Sequence, residues 1–263
     1  MLKLNSVKSS FKSLRLILIL TMAVIVLPAC SAIQPQESVD AETPMHPVDS
    51  IVKEDVVYAV DIYDPWEGMN RNLYIFNAEL DRYVLLPVVN AYREYIPFFL
   101  RQGVGNFFSN LSSFQHTINS ALQLNGEATV TNGLRFISNS TIGIAGIFDV
   151  ATGMDFPEMK EDFGQTLGYW GVGNGPYIVL PFFGPSNLRD TSGLVVDTAI
   201  NSWFVNDLLG MNGDDGWMFF YYIMNGIDAR NKVAFNYYAS GSPFEYETVR
   251  WLYTSGRQAM IAK

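Results

Sequence analysis

Nearly half of the 263 residues are hydrophobic (49 %), yet beyond the N-terminal leader they never run together for the ~18 positions that a membrane-spanning helix needs. Glycine (21) and proline (12) break the apolar runs at short intervals. That punctuation predicts many short helices in a compact, flat body, and argues against a bundle of long straight ones. Charged residues make up only 16 % of the chain, against roughly 25 % in typical globular proteins. Aromatic residues reach 14 %, with 18 Phe, 14 Tyr and 5 Trp. A body so apolar, without a span, suits the membrane interface. The plainer alternative is an aromatic-rich soluble core.

The N-terminus reads as a secretory leader. Lys3, Lys8, Lys12 and Arg15 precede an apolar run from Leu16 to Leu27, and "PAC" follows, ending at Cys30. The run is too short for a permanent anchor. Cys30 is the only cysteine, so it forms no intramolecular disulfide. Directly behind an apolar run, "LPAC" resembles the lipobox of bacterial lipoproteins, with cleavage before Cys30 and lipidation on it. Ser31 follows in place of Asp, which under the usual sorting rule favours the outer membrane.

Loss of residues 1–29 removes four of the 17 basic residues and none of the 26 acidic ones. The mature chain is therefore strongly acidic. It gains no general attraction to nucleic acid or to anionic lipid surfaces, and no nucleic-acid partner is expected. Acidic residues are concentrated in residues 30–63, a Pro-containing segment that reads as a flexible tether spanning roughly 30 Å. "VVYAV", Val56 to Val60, adds a short strand or docking contact within it.

Residues 64–263 form one domain and read as helical. Trp66, Met69, Leu73, Phe76, Leu80 and Tyr83 recur at spacings of three and four. A short helix or turn closes at Pro97. From Phe98 an apolar helix is expected to break at Gly103 and Gly105, resume at Phe107 and end at Gly126. Another helix carries Leu134, Arg135 and Ile137, followed by a short apolar one. Ser186 or Asn187 is placed to cap the helix after "GPSN". Two C-terminal helices are separated by Gly241 and Pro243. "YIVLPFF" is the best strand signal, interrupted at Pro181.

Chemistry-bearing residues are few. There are two histidines: His46 in the tether and His116 on a Phe-rich helix, where a hydrogen-bonded core role fits better than catalysis. No nucleophile elbow is present, and the usual zinc ligand sets are missing. "NGDDGW", Asn212 to Trp217, lacks calcium-loop spacing and reads as a turn. Glu161 and Asp162 read as a solvent-facing loop. An enzyme is not expected, nor is a cofactor or a metal.

"DFGQTLGYWGVGNGPYIVLPFFGPSNLRD", Asp162 to Asp190, is the densest feature. No Lys follows its glycines, as a P-loop requires, and Pro176 stands where a dinucleotide motif would open a helix. What stays is a glycine hinge at Gly171, Gly173 and Gly175 joined to a stiff apolar arm, or a plain tight turn.

That stretch, with "YDPWEGMNRNLYIFNAELDRYVLLPVVNAYREYIP", "GVGNFFSNL", "RFISNSTIGIAGIFDVA" and "GLVVD", is similar to the MlaA/VacJ family of outer-membrane lipoproteins. "GIDAR" and "SPFEYETVRWLYTSGRQ" extend the likeness, which covers about Tyr63 to Arg257. The resemblance implies an all-α, ring-shaped, monotopic body in the inner leaflet of the outer membrane, with a central amphipathic channel. It implies that the protein withdraws phospholipid from the outer leaflet, sits on a porin trimer, and passes the lipid to a periplasmic carrier protein. The glycine-flanked loop that borders the channel matches Gly171, Gly173 and Gly175, with Tyr177 beside it. Between Thr191 and Ala229 there is no Lys or Arg, so head-group phosphate would meet few cations: Arg135, Arg189 or Arg230. The pairing of Arg189 with Asp190 is the plainer role for that residue. A porin-associated scaffold without transport of its own is the competing reading.

Overall fold

The computed structural model describes residues 62–208 and 215–262. The leader, Cys30, most of the tether with "VVYAV", and the start of "NGDDGW" lie outside the described residues. Eight α-helices and one small hairpin follow in chain order: α1 (Glu67–Leu80), α2 (Leu86–Tyr95), α3 (Phe98–Leu122), α4 (Gly126–Thr141), α5 (Phe163–Tyr169), β1 (Tyr177–Leu180), β2 (Gly184–Asn187), α6 (Leu188–Trp203), α7 (Asp215–Lys232) and α8 (Glu245–Ile261). A π-helical turn, Asp81–Leu85, joins α1 to α2. The fold is all-α, and among the described residues no helix is long and apolar enough to cross a membrane.

Several helix boundaries differ from the sequence reading. Helix α3 runs unbroken for 25 residues through Gly103 and Gly105. A glycine inside a helix costs only about 1 kcal/mol, and here the missing side chains are used. A Cβ on Gly105 would stand 3.1 Å from Asp228 Oδ1, and one on Gly103 would stand 3.2 Å from Ile147 Cγ2. Gly126 begins α4 instead of ending its predecessor, because the Asn125 side chain accepts the Ala128 N–H (3.0 Å) and caps the new helix. The apolar stretch after α4 is a chain of turns. Ile144, Ala145 and Gly146 all take positive φ, and Gly146 N–H returns to the Asn139 carbonyl (2.8 Å). Helix α7 stops at Lys232, well before Gly241.

The hairpin pairs β1 and β2 antiparallel, Tyr177 opposite Asn187 and Leu180 opposite Gly184. Pro181 falls in its turn, where no ladder N–H is needed. Two asparagines two helical turns apart on α1 hold β1 in place. Asn70 accepts from Val179 N–H (2.9 Å) and donates to the Tyr177 carbonyl (3.0 Å). Asn77 accepts from Phe182 N–H (2.9 Å) and donates to the Leu180 carbonyl (2.9 Å).

Two apolar clusters form the core. Phe108, Leu111, Phe204, Val205 and Tyr221 make one, and Tyr74, Tyr177, Val179 and Tyr246 the other. Around them the usual distribution is inverted. Polar and charged residues outnumber apolar ones among the buried: Asn119, Ser120 and Asn132 are each 0 % exposed. Large apolar side chains instead stand outside, including Phe98 (70 %), Phe99 (69 %), Phe183 (70 %) and Phe219 (71 %). Isolated exposed hydrophobics are ordinary; an exposed apolar set over a polar interior is not.

Candidate functional site

The glycine loop connects α5 to β1. Helix α5 opens on Asp162, whose side chain accepts the Gln165 N–H (2.9 Å). It ends as Gly171 N–H bonds the Gly168 carbonyl (3.0 Å) and Val172 N–H the Leu167 carbonyl (2.9 Å). Gly171 takes φ +87 and Gly175 φ +67, the left-handed region where an L side chain is strained. Gly173 does not, and a Cβ there would meet nothing within 4 Å. The two outer glycines therefore set the loop's path, and the middle one leaves it open.

The loop has a second task. The first backbone donors of a helix lack internal partners, and the loop supplies them to α6. Leu188 N–H donates to the Pro176 carbonyl (3.0 Å) and Arg189 N–H to the Asn174 carbonyl (3.2 Å). Asn187 completes the cap by accepting from Asp190 N–H (2.8 Å). The base of α6 is then braced from α8. Asp190 accepts from Tyr253 (2.8 Å) and from Arg257 Nε (2.8 Å), and Arg257 also forks onto Asp162 (2.6 and 2.7 Å). Burial opposes ionisation of both carboxyls, yet hydrogen bonds and charge from Arg257 outweigh it and hold both below the usual range. Helices α5 and α6 meet almost backbone to backbone: a Cβ on Gly193 would lie 2.4 Å from Gly164 N.

Tyr177 is a core residue, 1 % exposed, whose N–H donates to the Tyr63 carbonyl (3.0 Å). A cavity of about 250 Å³ lies between the loop and α8, with Asn174, Gly175, Tyr177, Asn187, Thr254 and Gln258 in its wall. The three arginines are not brought together; each is bound to a carboxylate of the protein, although Arg135 Nε is buried without a hydrogen-bond partner. Arg135 binds Asp149 (3.0 Å), Thr152 (3.0 Å) and the Phe156 carbonyl. Arg189 is 5 % exposed and pairs with Asp190 (2.9 Å), which is the plainer role weighed for it. Arg230 forks onto Asp81 (2.6 and 2.9 Å) and binds the Val233 and Phe235 carbonyls. Glu161, read from sequence as solvent-facing, is 1 % exposed, and its N–H donates to His116 Nδ1 (3.2 Å). Among the described residues no group of three or more His, Cys, Asp or Glu is placed to hold a metal ion.

Sequence reasoning missed Tyr253 and Arg257. The signal was present: Tyr246, Arg250, Tyr253 and Arg257 recur at helical spacing along α8 and share one face. That face meets Asp64 at one end, where Arg250 binds it (3.0 Å), and Asp190 at the other.

Residues 62–260 match the family model described as MlaA lipoprotein. A Rickettsia bellii protein without an assigned function is 32 % identical over 202 residues, covering 76 % of this chain and 78 % of its own. An uncharacterized Rickettsia conorii protein is 37 % identical over 156 residues, which is 59 % of this chain and 61 % of that one. The Escherichia coli intermembrane phospholipid transport system lipoprotein MlaA is 42 % identical over 139 residues, 51 % of this chain and 55 % of that one. The chain thus spans about three fifths of the length of such curated relatives. A solved structure, from work on the structural basis for maintenance of bacterial outer membrane lipid asymmetry, superposes with a TM-score of 0.61 at 30 % identity. It covers 76 % of this chain and 100 % of its own. On its sequence and its fold alike, the chain belongs to the MlaA lipoprotein family.

Proposed function

We propose that this protein is a lipid-anchored outer-membrane lipoprotein of intermembrane phospholipid transport. It withdraws phospholipids that have strayed into the outer leaflet and passes them to a periplasmic carrier, preserving lipid asymmetry. The observation that carries this reading is the inverted distribution of side chains: aromatic residues outside, hydrogen-bonded polar residues within. Such a body gains by resting among acyl chains while offering a polar head group a hydrophilic route. The names of the Escherichia coli and Shigella flexneri relatives, both intermembrane phospholipid transport lipoproteins, support it. The route runs past the Gly171–Gly175 loop, with Cys30 as the lipidated residue and a porin trimer as the membrane partner. The loop is the natural moving part, because it holds α6 through two backbone bonds and meets little else at Gly171 and Gly173.

The test is reconstitution of the purified protein into vesicles that carry labelled phospholipid in one leaflet. Protein-dependent movement of intact label out of that leaflet is expected. No movement would leave a porin-associated scaffold as the better reading, and a hydrolysed label would indicate a phospholipase.

A further inference from the structure

The sequence holds five Asn–Gly pairs, and the fold treats them unequally. Asn212–Gly213 lies outside the described residues. Gly133 and Gly226 sit inside α4 and α7, where the helical ladder engages their N–H groups. Asn132 is pinned as well: its amide donates to the Met159 carbonyl (2.8 Å) and accepts the Met159 N–H (3.2 Å). Asn125 spends its side-chain oxygen on the α4 cap. Asn174–Gly175 stands apart. It lies in the loop between α5 and β1, and among the described residues neither the Asn174 side chain nor the Gly175 N–H has a hydrogen-bond partner. Both residues border the cavity of about 250 Å³ beside α8, which is wide enough to admit water. The fold also keeps glycine at 175: φ is +67, and a Cβ would stand 3.1 Å from Leu188 Cβ.

We propose that Asn174 is a site of spontaneous deamidation selected by the fold, and that its conversion loosens the cap of α6. The Gly175 nitrogen attacks the Asn174 side-chain carbonyl carbon. The new C–N bond closes a cyclic imide, and the bond to the amide nitrogen breaks. That nitrogen leaves as ammonia, carrying away the proton of the Gly175 N–H. Water then opens the ring at either carbonyl, giving aspartate or isoaspartate. In sum one water enters and one ammonia departs, with no oxidant or reductant. The step needs an attacking N–H that is free, a side-chain amide able to turn, and no Cβ on the attacking residue to crowd the ring. Among the described Asn–Gly pairs, Asn174–Gly175 combines all three. In isoaspartate the main chain runs through the former side chain and gains a methylene. The carbonyl that accepts Arg189 N–H (3.2 Å) then becomes a free carboxylate off the main-chain path. The Pro176 carbonyl that holds Leu188 N–H (3.0 Å) shifts with the lengthened loop.

The experiment is peptide mapping by mass spectrometry of the full-length protein in micelles, held in mildly alkaline buffer at body temperature, beside the same chain unfolded in guanidinium chloride. In the folded protein Asn174 is expected to convert to the acid faster than Asn125, Asn132 and Asn225, and unfolding is expected to remove that lead. A folded protein in which Asn174 converts no faster than those three overturns the proposal. So does the same lead in the unfolded chain, since sequence and not fold would then decide. Amide hydrogen exchange reads the second half. Aged wild-type protein is expected to exchange the Leu188 and Arg189 N–H groups faster than fresh protein. Asn174→Gln, whose longer side chain closes the ring poorly, is expected to show no such gain on ageing. Conversion of Asn174 without faster exchange at Leu188 and Arg189 overturns the coupling to α6. None of these readouts requires lipid movement, so the proposal stands or falls apart from the transport reading.

Discussion

The backbone N–H of Arg189 donates to the carbonyl of Asn174 at 3.2 Å, so the loop that carries Gly171, Gly173 and Gly175 is also the cap of α6. A movement of that loop uncovers the α6 N-terminus and slackens the packing around Asp190. Loop position and helix stability are therefore coupled through main-chain bonds, with no side chain needed between them.

The two free glycines separate this coupling from simple flexibility. Gly171→Val places a β-branched residue at φ +87, which costs roughly 1–3 kcal/mol of local strain and drives the loop off its path. Gly173→Val has open space and no positive φ, so its stability should match wild type within about 0.5 kcal/mol. Urea unfolding of both variants checks the difference. If both glycines also serve as the hinge, both variants lose transport while only the first loses stability.

Gly193→Ala tests the contact of α5 with α6. The added methyl would stand 2.4 Å from Gly164 N, where backbone cannot yield without separating the helices. A loss of about 1–3 kcal/mol, or failure to fold, is expected from overpacking. A Tm equal to wild type would mean that the two helices are held apart more loosely than this geometry shows.

Arg257 sets the acid limit of this region. Asp162 and Asp190 are held below their ordinary values in the folded chain, so they contribute stability above the usual carboxylate range, near pH 4. That contribution is lost as pH falls through the depressed values. Arg257→Met leaves Asp162 without a cation and Asp190 with Arg189 alone, so a loss of about 3 kcal/mol at neutral pH is expected. The acid unfolding midpoint should also move to higher pH, since both carboxyls then hold their charge less firmly and favour the protonated form more. Tm followed from pH 3 to pH 7 in both proteins reads both effects.

Asn70→Leu removes two of the bonds that fix the hairpin to α1, leaving those of Asn77, and leaves the Val179 N–H and Tyr177 carbonyl buried without partners. A cost of about 2–4 kcal/mol is expected, as one to two kcal/mol for each orphaned group. Chemical denaturation measures it. A neutral result would show that the Asn77 bonds alone hold the hairpin on its helix.

How legible this was in the sequence varied with the range of the interaction. Local signals worked: the three- and four-residue spacing found α1, "YIVLPFF" marked the strand whose ladder ends at Leu180, just before the proline said to interrupt it, and Asn187 was one of two residues named as the α6 cap. Glycine misled, because its sequence signature is the same whether it breaks a helix or lets a neighbour approach; Gly103 and Gly105 do the second. "GPSN" as a strand was illegible, since its pairing comes from β1 and not from its own propensity. The clasp of Arg257 on Asp162 spans 95 positions, and no local pattern at Asp162 announces its partner. Glu161 was misread for the same reason, its burial being decided by helices distant in sequence.

The central claim, that phospholipid is retrieved past the Gly171–Gly175 loop, is tested most directly by phospholipid exposed at the surface of cells lacking this protein. The account predicts a rise on deletion, reversed by the wild-type chain but not by Gly171→Val made at the same level. No rise on deletion in cells with no other retrieval route, or full reversal by a Gly171→Val protein whose loop is displaced, would contradict it.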